Sequence, residues 1–107
     1  SGIQPAAAGM ILLDGQKYNP GTVYNAVGNA LTFKNCRFTV EDPQKIIVST
    51  VRYAHDNTVS FEDCLFISHD DARFWYADNV TYNGYNTAVD NQVSVDGTNQ
   101  TPITTLN

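Results

Sequence analysis

Two stretches of the chain repeat one another at a spacing of 28 residues with no gap: NALTFKNCRF, beginning at Asn29, and NTVSFEDCLF, beginning at Asn57. Phe33 falls on Phe61, Cys36 on Cys64, Phe38 on Phe66, and Asn35 on Asp63. The match continues with Asp42 on Asp70, Lys45 on Arg73, and Ile46-Ile47-Val48 on Phe74-Trp75-Tyr76. Repeats of this length are supersecondary units that cannot bury their apolar face alone and therefore stack on one another. The repeat constrains the fold strongly and the function only weakly.

Within each copy the apolar residues alternate. Leu31 and Phe33 share one parity and Cys36 and Phe38 the other, so one extra backbone position must lie between them, at Asn35. Asn and Asp tolerate the left-handed conformation that such a corner needs, and Asp63 occupies it in the second copy. The expected unit is strand, one-residue corner, strand, a loop carrying Asp42-Pro43 or Asp70-Asp71, then a third strand. That third strand is expected over Lys45–Val51 and again over Arg73–Ala77. Partial copies flank these two. Ile11, Leu13 and Tyr18 fit the template with Gly15 at the corner, and Val93 and Val95 fit the first strand, at offsets of 20 and 34. Eleven Asn, eleven Thr and four Pro weigh against helix. Residues 1–9 read as a flexible arm and residues 10–107 as a single β-domain.

Composition excludes several classes. With six Lys and Arg and a net charge of -5, the chain lacks the cations that phosphate contacts require, so no nucleic-acid partner is expected. No apolar run approaches the length of a membrane span, and no membrane insertion is expected. The two cysteines lack zinc-site spacing, and neither a metal nor a cofactor is called for. A compact chain of 11.8 kDa would expose about 5,900 Å² of the roughly 17,000 Å² its unfolded form exposes, enough burial for one modest core.

The phrases ALTFKNCRF and TVSFEDCLF, with their Asn or Asp corner and columns of aromatic, aliphatic and Cys residues, resemble the right-handed parallel β-helix of the pectate-lyase-like superfamily. The resemblance covers about residues 10–97 and implies an all-β solenoid of three to four rungs. An antiparallel β-sandwich is the competing fold, since its strands also recur with turn signals. Members of the superfamily include polysaccharide lyases and hydrolases, phage tailspikes, and structural or adhesive surface proteins. Two functions stay open: an assembly protein such as a virion decoration, fibre, tailspike or extracellular filament component, or a carbohydrate-active enzyme or a fragment of one.

Candidate residues follow from the template. Cys36 and Cys64 are expected inward as stacked free thiols with Phe33, Phe61, Phe38 and Phe66, although adjacent strands bring them within disulfide range. His69-Asp70-Asp71-Ala72-Arg73 is the richest polar cluster. Asp70-Asp71 resembles the Asp pair of galacturonan hydrolases, but no partner motif follows, so a solvated turn with a paired Arg73 is the plainer reading. His55-Asp56-Asn57 reads as a turn. Asn79-Val80-Thr81 is a formal glycosylation sequon. Because Phe74 and Tyr76 share parity, Trp75 is expected outward, where Trp75, Tyr76, Tyr82 and Tyr85 would form a protein-binding surface or a platform for a surface glycan. Uncapped solenoid ends imply a homo-oligomer (a trimer, lattice or filament) or docking to other structural proteins.

Overall fold

The computed structural model describes residues 9–15, 26–40, 46–68 and 73–102, and every regular element among them is a β-strand. In chain order these are β1 (Gly9–Gly15), β2 (Ala30–Lys34), β3 (Arg37–Val40), β4 (Ile46–Arg52), β5 (Asn57–Glu62), β6 (Leu65–Ser68), β7 (Arg73–Ala77), β8 (Thr81–Tyr82), β9 (Tyr85–Asn86), β10 (Asn91–Val95) and β11 (Thr98–Asn99). The expected arm, residues 1–9, lies outside the described residues except for Gly9.

Strands far apart in sequence pair in parallel. One sheet has the order β1-β4-β7, a second β11-β10-β5-β2, a third β3-β6, and β8-β9 forms a small ribbon. Among the described residues only β10-β11 and β8-β9 are antiparallel. The antiparallel sandwich is thereby overturned: its strands would return as hairpins, whereas here a parallel strand meets its partner only after a crossover of many residues.

The register follows the sequence repeat. Phe33 pairs with Phe61 and Phe38 with Phe66, the offset of 28, while Val93 pairs with Val59, the offset of 34. Asn35 and Asp63 hold φ of 54° and 53°, the left-handed corner that the change of parity requires. In the third copy this corner becomes a hairpin. Asp96 and Gly97 both take positive φ (48° and 83°), the Asp-Gly geometry of a type I′ turn, and fold β11 back onto β10. Asn83-Gly84 does the same between β8 and β9.

Burial centres on Val48, Val59, Phe61, Trp75, Ala77 and Val93. The repeated phenylalanines form two face-to-face columns, Phe33 on Phe61 at 5.4 Å and Phe38 on Phe66 at 5.4 Å. The columns meet edge-on, and Phe74 adds an edge against Phe61 and Phe66 at 5.4 and 5.0 Å. Such offset-stacked and T-shaped pairs suit the ring quadrupoles and add to the area they bury.

Two expectations are corrected here. Trp75 does not point outward; it is 2% exposed, and its Nε1 donates to Thr50 Oγ1 at 3.1 Å. The reason is a register slip. Five residues separate Val40 from Ile46 but only four separate Ser68 from Arg73, so the third strands pair at an offset of 27, with Trp75 opposite Val48. A one-residue slip exchanges the two faces of a strand. The second correction concerns β1, which pairs with the third-strand element β4, Ile11 opposite Val48, and not with a first strand. Its continuous run Ile11-Leu12-Leu13 resembles Ile46-Ile47-Val48 more than the alternating LTFKNCRF. Such a run suits β4, which is buried from Ile46 to Val51, while β1, its neighbour at the sheet edge, buries Leu13 and leaves Leu12 half-exposed. Tyr18 lies outside the described residues.

Candidate functional site

Asn29, just before β2, and Asn57 and Asn91, the first residues of β5 and β10, form a column of side chains. Asn57 Oδ1 accepts from the backbone N and the Nδ2 of Asn29, both at 3.0 Å. Asn57 Nδ2 donates to Asn91 Oδ1 and to the carbonyl of Ala26, both at 2.8 Å. Asn91 Nδ2 closes the column on the carbonyls of Ala54 and Thr87, at 3.0 and 2.8 Å. Asn57 and Asn91 are buried, yet each polar atom has a partner, as a buried amide requires. The signal was present in the sequence, since all three blocks open on Asn, but the template assigned these positions no role.

Against this column lies an open cleft of about 390 Å³ lined by Asp56, Asn57, Thr58, Val89, Asp90, Asn91 and Gln92. The backbone sets its walls: Asp56 N donates to the carbonyl of Asp90 at 2.5 Å, just ahead of the paired parallel strands β5 and β10. Asp56 Oδ2 lies 2.8 Å from His55 Nδ1, within hydrogen-bonding distance. Asp90 Oδ2 accepts from Asn86 N at 2.6 Å. Each carboxylate uses one oxygen in these contacts. Together with the exposed Gln92 and the half-exposed Thr58, the lining offers mainly acceptors and amides, a surface suited to hydroxyl or cationic groups and hostile to anions.

The expected aromatic surface is divided by the fold. Trp75 belongs to the core. Tyr76 is half-buried on β7. Tyr82 packs on Tyr53 with ring centroids 4.8 Å apart, and burial followed by the charge of Asp78 pushes its phenol above the ordinary range. Tyr85 lies flat on His55 at 3.6 Å and 2° and is 39% exposed, and His55 in turn contacts the cleft residue Asp56. The β8-β9 ribbon is what brings Tyr82 and Tyr85 to these different partners.

Asp70 and Asp71 lie outside the described residues, and Arg73 opens β7. His69 lies outside them as well, while His55 is nearly buried between Asp56 and Tyr85. Among the described residues no group of three or more His, Cys, Asp or Glu is placed to hold a metal ion. Asn79 of the sequon is exposed at φ 54°. A neighbouring corner carries an ion pair: Arg52 Nε donates to Asp14 Oδ1 at 2.7 Å and its Nη2 to Asp14 Oδ2, while the Arg52 backbone N donates to Asp78 Oδ2 at 2.9 Å. The hydrogen bond with Asp14 raises the guanidinium further above its already high range. Cys36 and Cys64 are free thiols at equivalent corners, and both are half-buried.

No family model, no curated protein and no solved structure matches the chain.

Proposed function

We propose that the chain is a short right-handed parallel β-helix serving as a structural and assembly module, a component of a virion surface, fibre or extracellular filament. The parallel pairing at offsets of 28 and 34, the left-handed Asn35 and Asp63 corners and the Phe and Asn columns support the solenoid reading. The observation that carries the assembly reading is the state of the strand edges. Among the described residues β1 and β2 pair on one side only, and β3 and β6 pair only with each other. Met10, Leu12, Leu65 and Ile67, on β1 and β6, are 45–51% exposed. Unpaired edges flanked by aliphatic side chains are templates for strand addition from another chain. Self-association into a trimer, lattice or filament satisfies them. Light scattering at micromolar concentration tests this, with Leu65→Lys and Ile67→Lys as edge-blocking variants. Wild type should sediment as an oligomer that the variants weaken. A monodisperse 11.8 kDa monomer with cooperative unfolding would overturn the reading.

A second reading, a carbohydrate-active β-helix protein, is favoured by one observation: the acceptor-rich cleft, to which the half-exposed Tyr85 is linked through His55. Tyrosine presents an apolar face with a polar tip, which suits a sugar ring. Calorimetric titration with neutral and amino oligosaccharides tests it, with Asp56→Asn and Asp90→Asn as cleft variants. Binding lost in both variants would support this reading, and flat titrations would remove it.

A further inference from the structure

Cys36 and Cys64 occupy the same corner of successive copies and are fixed on both sides by the register. Lys34 pairs with Glu62 before them and Arg37 with Leu65 after them, and the carbonyl of Cys36 itself accepts from Leu65 N at 2.9 Å. The side chains are oriented alike. Cys36 Sγ donates to the carbonyl two residues back, Lys34, at 3.3 Å; the single S–H of Cys64 is shared between its equivalent, Glu62 O at 3.5 Å, and Phe33 O at 3.3 Å. Two like-oriented thiols on neighbouring strands are spaced as the strands are, about 4.8 Å apart. Both are half-buried and therefore reachable from solvent.

Two chemistries are open to thiols so placed. A disulfide is within reach of strands at this spacing, but both side chains would have to turn out of their like orientation for the sulfurs to meet at about 2.05 Å. A metal ion lying between two thiolates leaves that orientation in place. Two metal–sulfur bonds of about 2.3 Å placed end to end span about 4.6 Å. Thiolates select soft cations, Cu(I) foremost among the first-row metals, and a closed-shell monovalent ion accepts two ligands in line.

We propose that Cys36 and Cys64 form a two-coordinate site for a soft monovalent cation, Cu(I) or its analogue Ag(I). The two S–H bonds break, two sulfur–metal bonds form, and two protons pass to solvent. The cation keeps its charge, so no oxidant or reductant takes part. Of the carbonyls that lose thiol contacts, Glu62 O retains the 2.9 Å bond from Asn35 N, and sulfhydryl bonds are weak.

The test uses the full chain under argon, titrated with Ag(I), and with Cu(I) against a chromogenic Cu(I) chelator. Wild type should bind one cation per chain with two sulfurs in its X-ray absorption shell. Cys36→Ser and Cys64→Ser should each weaken binding by at least about 100-fold, because the second thiolate acts at high effective concentration. Far-UV circular dichroism of the metal-free variants shows whether they fold. Should they not, the stoichiometry and sulfur shell of the wild type decide the matter. Two cations per chain, a one-sulfur shell, or unchanged affinity in a folded single-cysteine variant would overturn the site. So would rapid, complete loss of two hydrogens when the folded chain meets a small-molecule disulfide, since it would show that the sulfurs are not held apart.

Discussion

Asn57 offers the sharpest test of how the stack is held together. Replacing it with Ala removes its two acceptor bonds from Asn29 and its two donor bonds to Ala26 O and Asn91 Oδ1. Some of the stranded groups find other partners: Ala26 O still accepts from His55 N, Asn91 Oδ1 from Asn57 N, and the exposed Asn29 turns to water. What remains is the loss of buried amide bonds at about 1 kcal/mol each plus a small cavity, together about 2–4 kcal/mol. For a domain of this size that lowers Tm by roughly 10–20 °C. Asn57→Asp is the more informative variant. It keeps an oxygen for Asn29 but points a second, charged oxygen at two acceptors in a site that is 2% exposed. Its carboxyl should therefore titrate above its unfolded range, near 3.9. A group with a raised folded pKa favours folding below its unfolded pKa, and that contribution is lost as pH rises through the folded value. The deficit of Asn57→Asp relative to wild type should thus exceed that of Asn57→Ala at pH 7 and shrink on acidification. Urea unfolding of the three proteins at pH 7 and pH 4 measures this. An Asp variant within about 1 kcal/mol of wild type at pH 7, or a deficit that grows in acid, would refute the idea that the column is a satisfied, buried hydrogen-bond chain.

Four further outcomes are expected. Gly15→Ala should destabilise by several kcal/mol in denaturant titration, because a Cβ there would lie 2.3 Å from the Tyr53 carbonyl carbon and the Ala54 nitrogen, and backbone cannot step aside cheaply. The single Trp75 should emit as a buried indole and shift to the red on unfolding; Trp75→Phe should cost about 1–3 kcal/mol through the lost bond to Thr50 and reduced packing. Ser49→Ala should be neutral or stabilising by up to about 1 kcal/mol in thermal unfolding, since the buried Ser49 hydroxyl has no partner among the described residues. Tyr82 is held neutral above its ordinary pKa of 10.0, so its contribution is present below that value and lost as pH rises through the folded pKa; Tyr82→Phe should flatten the alkaline arm of a stability-versus-pH curve.

The repeat by itself determined the class of structure. Phe33 and Phe61, Phe38 and Phe66, and the Asn35 and Asp63 corners were legible because side-chain alternation and left-handed tolerance are local properties of the chain. Two turns were equally legible and went unread: Asn83-Gly84 and Asp96-Gly97 are hairpin signals, and they end the parallel pattern where the template would have continued it. The Asn column could be seen as a recurring letter, but its role could not, because an amide at a corner looks the same whether it meets water or another amide. Trp75 shows where sequence reasoning stops. Its face depends on a single residue of loop length between Ser68 and Arg73, and a one-residue slip inverts a strand without altering its composition. The cleft between Asp56 and Asp90 was hidden for a related reason. Those residues stand 34 apart in sequence, and only the stacking of one corner on the next brings their backbones within hydrogen-bonding distance.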